Sequence, residues 1–361
     1  MKEISSKDFS VFFGDDVFED MAQKIIENEY SKVFVLVDEN TEHDCYPILK
    51  NYLVNVIVIR IESGEQNKTL KTVEYIWKQL QDNFADRKAL FINLGGGVIS
   101  DLGGFCAATY KRGIDFINVP TTLLAMVDAS IGGKQGFDID SHKNMVGVFA
   151  HPKNIYMYPK FLETLPLNEK KCGVAELSKH ALIKNKSLWE EMLGKSILDD
   201  KSINELIQKS AKIKIKIVKK DPLEKGLRKI LNFGHSIGHA IETWSLKNDT
   251  NPLKHGEAVA IGMLCEAYIS HKLLGLTNEE LHQIVAFVEK NYTYYDSQWD
   301  EKELIVFMHN DKKNLNGKFN LTLLKKIGKA KIDMDCSSEL ISESLSFYQN
   351  LKHNFPTQHS A

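Results

Sequence analysis

With 361 residues the chain exceeds what one ordinary core covers and suits two domains. A hydrophobic fraction of 43%, a charged fraction of 26% and 46 basic against 48 acidic residues describe a near-neutral soluble globular protein, not a nucleic-acid binder. No apolar run is long enough to span a membrane, and the start MKEISSKDFSVFFGDD shows no export signal.

Strand-like and helix-like segments alternate at first. Lys32–Val37 and Val54–Ile61 are rich in β-branched residues, Leu70–Leu80 has helical period, and Ala89–Leu94 is an apolar run that ends in glycines. A helical pattern over Phe105–Tyr110 and a run Phe116–Val119, stopped by Pro120, follow. This alternation predicts a Rossmann-like parallel sheet covered by helices, with Ile155–Tyr158 as its last strand. From about Leu162 the pattern is helical, at Glu176–Ile183, Ile203–Val218, Gly256–Leu273 and Glu279–Asn291, with one late extended segment at Phe319–Leu324. The expectation is an α/β nucleotide-binding domain over residues 1–160 and a mostly α-helical domain over 161–361.

Cys45, Cys106, Cys172, Cys265 and Cys336 are widely spaced, contain no CxxC pair and read as buried hydrophobes in a reducing cytoplasm. Gly95-Gly96-Gly97 follows a strand and opens a helix, which lets a phosphate approach free N–H groups, although the spacing is not GxGxxG. Asp38 ends a strand where an acid can bond a ribose hydroxyl; it can equally begin a turn. Further on, Lys134, His142, Lys143 and Asn144 sit among glycines, a pattern that serves either a phosphate or a solvated loop. The helical half carries Glu176, His180, His235, His239 and His255. Two imidazoles and a carboxylate suit a catalytic divalent metal, but spacing leaves the set open, because His235 and His239 are four apart and so are Glu176 and His180.

The run from Gly95 to Gly147, with GVAELSKHALI at 173–183, GLRKILNFGHSIGHAIE at 226–242, HGEAVAIGM at 255–263 and DKKN at 311–314, closely resembles the 3-dehydroquinate synthases. That resemblance implies a metal, zinc or cobalt, on Glu176, His235 and His255, with His239 meeting substrate instead. It also implies NAD along Asp38, Glu65, Lys68, Gly96, Gly97, Val98, Asp101, Thr121, Thr122, Lys143, Phe161, Thr164 and Leu165. Substrate, a sugar-acid phosphate, would meet Asp128, Lys134, Asn144, Lys179, Lys214, Arg228, Asn232, His239 and Lys312. Arg112 would reach the phosphate across a homodimer interface. Ser100, Gln135 and His142 depart from the family pattern and touch loop detail only.

The activity so implied is conversion of 3-deoxy-D-arabino-heptulosonate 7-phosphate to 3-dehydroquinate. It comprises transient oxidation by NAD, phosphate elimination, re-reduction, ring opening and aldol closure, with Lys214 and Arg228 on the carboxylate and Lys134, Asn144 and Lys312 on the phosphate. The rival readings are another sugar-phosphate cyclase, of valiolone or inosose type, a metal-dependent polyol dehydrogenase, and a silent scaffold of the same fold.

Overall fold

A computed structural model describes residues 1–139, 142–198, 200–296, 299–309 and 319–354. Two compact units appear, one of residues 1–170 and 214–223, the other of 171–213 and 224–361. The boundary expected near residue 160 falls on the short turn Pro159–Leu162, one connection earlier.

In the first unit the strands are β1 (Lys2–Ser5), β2 (Ser10–Phe13), β3 (Val33–Asp38), β4 (Val56–Ile61), β5 (Leu90–Gly95), β6 (Asp115–Pro120), β7 (Lys134–Ile139), β8 (His142–Phe149) and β9 (Asn154–Met157). A seven-stranded sheet runs β1-β2-β9-β6-β5-β3-β4, with every pairing parallel except β1 with β2. Its helices are α1 (Val17–Glu27), α2 (Glu39–Asp44), α3 (Tyr46–Leu49), α4 (Leu70–Asp82) and α5 (Gly97–Thr109). Strands covered on both faces need apolar residues at successive positions, and Val33 to Val37 are all buried. Val73, Ile76 and Leu80, spaced three and four apart on α4, join Ile99 and Leu102 of α5 against Phe34, Leu36, Ile59 and Phe91. Phe18 of α1 packs among Tyr52, Tyr158 and Phe161.

The second unit is helical, as expected, with α6 (Leu167–Lys184), α7 (Lys186–Leu193), α8 (Asp200–Lys220), α9 (His235–Asn248), α10 (His255–Leu274), α11 (Asn278–Asn291), α12 (Glu301–His309) and α13 (Ser338–Asn350). The last residues of α8, from Lys214, count with the first unit. α10 is apolar all round and buried along most of its length, which makes it the central helix. Two glycines set its distance from its neighbours. A Cβ on Gly262 would lie 2.0 Å from the Gly234 carbonyl oxygen, and one on Gly256 would lie 2.3 Å from the Cys172 Cα. α9 and α6 therefore meet α10 backbone to backbone. The late extended segment is a hairpin, β10 (Phe319–Lys326) with β11 (Lys329–Cys336), joined to α10 by a bond from the Leu324 N–H to Ser270 Oγ of 2.9 Å.

Three parts of the sequence reading change. The glycine-flanked lysines after Pro120 do not lie on a loop, since Lys134 and Lys143 belong to the β7–β8 hairpin. The helix after the glycines begins at Gly97, well ahead of Phe105. The sheet also gains two strands before Val33. All five cysteines are buried and free.

Candidate functional site

In the first unit the polar residues gather at the carboxyl ends of the parallel strands. The chain runs outward from β3 to β4 and returns to place β5 on the other side of β3, so strand order reverses between β3 and β5, where α/β sheets take ligands. Asp38 and Gly95–Gly97 stand on the two sides of that point. Gly96 precedes the first residue of α5 with no side chain capping it, and the first turn carries no acid, so its N–H groups and dipole face outward. A Cβ on Gly96 would come 3.1 Å from Thr122 Cγ2, and the Thr121 N–H donates to the Gly95 carbonyl at 3.1 Å. Gly96 and Thr122 thus lie side by side, Gly97 and Val98 open the first turn of α5, and Thr121 is buried. Asp38 does begin a turn: its carboxylate accepts from the Thr41 N–H at 2.8 Å and caps α2.

Beside the start of α5, Lys68 donates to Asp101 Oδ2 at 2.6 Å and to Asn144 Oδ1 at 2.7 Å. Lys143 lies 3.8 Å from Glu65, and Glu65 3.9 Å from Lys68. Burial disfavours the Lys68 charge, but Asp101 and Glu65 outweigh it and hold the ammonium well above its usual range. Burial pushes the Asp101 carboxyl up against the pull of Lys68. Lys214 donates to the Asp128 backbone carbonyl at 2.7 Å, and its ammonium forms an ion pair with Asp128 Oδ1 at 2.7 Å. Phe161 faces the aromatic group around Phe18, while Thr164 donates to its carbonyl at 3.4 Å and the Leu165 N–H bonds the Leu162 carbonyl at 3.3 Å. Lys134 is exposed at the start of β7.

Arg112 lies apart from these. It follows α5 and precedes β6, which puts it at the opposite, amino edge of the sheet. It is exposed, with φ of +70° between Lys111 at +49° and Gly113 at +113°.

In the second unit the metal candidates converge. His235 and His255 are the first residues of α9 and α10, and Glu176 lies mid-way along α6. Glu176 Oε1 is 3.2 Å from His235 Nε2 and 3.8 Å from His255 Nε2. A tetrahedral metal bound at about 2.0–2.1 Å separates its ligand atoms by about 3.4 Å, so this N/O set fits one divalent ion. The far nitrogens are tied back, His235 Nδ1 to the Phe233 carbonyl at 3.1 Å and His255 Nδ1 to Glu242 Oε2 at 3.4 Å. Both Glu176 oxygens are buried without a well-aligned hydrogen bond, though Lys179 forms a close ion pair with this carboxylate. Burial would raise the Glu176 carboxyl, but Lys179 and His235 keep it well below its usual range. Desolvation and Lys179 lower His235, whereas His255, whose side chain is 29% exposed, is pushed up to about 9 because Glu242 and Glu176 outweigh its desolvation.

The alternatives that spacing left open look different in three dimensions. His239 is close, since one ring nitrogen from each of His235, His239 and His255 lies within 4.8 Å of the others. His180 is bonded through Nδ1 to Ser210 Oγ at 2.7 Å. Arg228 and Asn232 sit on the turn Leu227–Asn232 that leads into α9. Arg228 is buried, and the Asn232 amide donates to Glu224 Oε1 at 3.0 Å. Lys312 lies outside the described residues. Three carboxylates had no role in the sequence reading: Glu224, Glu242 and Glu266. The last is buried on α10 and accepts from the Gly234 N–H at 2.7 Å and the Ile237 N–H at 3.4 Å, holding the first turn of α9. Position was the available signal for Glu242, which falls three residues after His239 and seven after His235, on one helical face.

Comparison with known proteins points to one family. Residues 58–172 match the family described as 3-dehydroquinate synthase N-terminal, and residues 173–314 match 3-dehydroquinate synthase C-terminal. The 3-dehydroquinate synthase of Parabacteroides distasonis is 40% identical over 89% of this chain and 92% of its own. That of Campylobacter concisus is 42% identical over 80% of this chain and 83% of its own. Among solved structures, a 2-deoxy-scyllo-inosose synthase complexed with carbaglucose-6-phosphate, NAD+ and Co2+ superposes with TM-score 0.86 at 26% identity, covering 95% of this chain and 98% of its own. The 2-epi-5-epi-valiolone synthase of Streptomyces hygroscopicus, with NAD+ and Zn2+, shares the fold at TM-score 0.84 and 24% identity, covering 97% of this chain and 98% of its own.

Proposed function

The chain belongs to the 3-dehydroquinate synthase family and is an enzyme of the shikimate pathway, and from that premise we propose how its residues serve the reaction. The substrate is 3-deoxy-D-arabino-heptulosonate 7-phosphate, and the products are 3-dehydroquinate and phosphate. One divalent metal, zinc or cobalt, is held by Glu176, His235 and His255. The observation that carries this is the convergence of the Glu176 carboxylate with two Nε2 atoms at ligand spacing, each imidazole held from behind through Nδ1. When bound, the metal supplies a Lewis acid for adjacent substrate oxygens and NAD a reversible hydride acceptor.

The rest is work for side chains. In the first unit, Gly96, Gly97, Val98, Thr121 and Thr122 receive the NAD pyrophosphate, and Asp38 its ribose. Glu65, Lys68, Asp101, Lys143, Phe161, Thr164 and Leu165 complete the NAD contacts. Asn144 and Lys134 bind the substrate phosphate, with Lys312. Lys214, now on Asp128, binds the substrate carboxylate. In the second unit, Arg228 also serves the carboxylate, Asn232 and His239 orient hydroxyls and move protons, and Lys179 balances charge beside Glu176. Arg112 serves the phosphate of a neighbouring subunit in a homodimer, which its position at the far sheet edge supports. Five buried free thiols support a cytoplasmic setting. No helix among the described residues is long and apolar enough to cross a membrane.

The test is phosphate release from the heptulosonate with catalytic NAD. Release without net NADH, lost on chelation and restored by Zn2+ or Co2+, is expected. Preference for sedoheptulose 7-phosphate, or NADH accumulating one for one with product, would overturn the substrate assignment.

A further inference from the structure

Glu242 is buried at mid-helix on α9, where an unpaired carboxylate is costly. Its oxygen Oε2 lies 3.4 Å from His255 Nδ1, on the side of the ring away from Glu176. An imidazole that binds a metal through Nε2 must carry its proton on Nδ1, and an acceptor there fixes both the tautomer and the ring plane. For His235 that acceptor is the Phe233 backbone carbonyl at 3.1 Å, which no side-chain change removes. For His255 it is a carboxylate, so its charge also raises the basicity of the ligand nitrogen. The face of α9 that carries His235 and His239 carries Glu242 too, so one helix supplies both a ligand of its own and the support for a ligand on its neighbour.

We propose that Glu242 is a positioning residue that holds the His255 imidazole, in its Nδ1–H form, in the orientation that binds the metal. The inference rests on the reading that Glu176, His235 and His255 are the ligands, and the experiment separates the two. Co2+ binding to the full chain is measured by competition with a chelator, together with the visible absorption of the bound ion. Glu242→Gln keeps the side-chain volume and removes the charge. The expected result is about 10–100-fold weaker Co2+ binding with a shifted absorption band, and Glu242→Ala, which removes the contact altogether, is weaker still. A role in helix packing alone would not move the spectrum. Affinity of Glu242→Gln within about threefold of the parent protein, with an unshifted band, overturns the proposal. Retention of stoichiometric Co2+ by His255→Ala overturns the underlying ligand reading instead.

Discussion

In the first unit the charged side chains close on one another, whereas in the second they converge. Lys68 holds Asp101 and Asn144, and Lys214 holds Asp128, each pair already within hydrogen-bond distance. Glu176 and the Nε2 atoms of His235 and His255 instead point at one place, and the imidazoles are bonded at their far sides. The difference lies in what a ligand must do. An organic ligand at the first cluster has to exchange partners with pairs that neutralise themselves, so part of its binding energy goes into separating them. A divalent ion at the second has to displace the His255 proton and compete with the Lys179 ammonium for Glu176, and the proton it releases makes its affinity pH-dependent.

Three substitutions probe that contrast. The largest effect is expected from His255→Ala, which removes a converging group without opening the fold. Stoichiometric metal should be lost, and phosphate release should fall by about 10³-fold or more, the equivalent of several kcal/mol of lost transition-state stabilisation. Metal content by elemental analysis, alongside a circular dichroism spectrum, checks it; retained metal would sink the ligand role. Next comes Lys68→Met, which leaves Asp101 without its cation. Stability should drop by about 3 kcal/mol, the low end for a broken buried pair, because the Asp101 side chain keeps 19% of its exposure. Urea denaturation measures this, and a loss under about 1 kcal/mol would mean that the first cluster is not a coupled network. Lys179→Met should leave metal content alone and lower turnover by about 10²-fold, about 2.7 kcal/mol. Normal turnover would remove Lys179 from the chemistry.

Much of this is legible in the sequence. β3, β5 and β6 are buried on both faces, so they read as apolar runs, and α4 and α11 keep a clean helical period. β11 is legible too, since KAKIDMDC alternates charged with small or apolar residues in the period of a strand with one wet face, but its low apolar content makes the signal weak. The β7–β8 hairpin was missed because its glycines and lysines looked like a phosphate loop. At the site, spacing along one helix paired His235 with His239 and Glu176 with His180. It could not bring Glu176 to His255, which lie on different helices and meet only through packing. Nor could it reveal the support from Glu266, since a buried carboxylate in a helical pattern resembles a surface charge until its partners are seen, and for Glu242 it offered only a place on the face of His235 and His239.

The contact of Gly262 with the Gly234 carbonyl has an evolutionary consequence. It fixes the register of α9 against α10, so His235, Glu242, His255 and Glu266 behave as a rigid ruler whose marks cannot be moved separately. One residue inserted within either helix would turn every later side chain by about 100° and scatter the marks. The stretch 249–254 between the helices lies outside the ruler. Length variation should therefore accumulate there and be purged on either side.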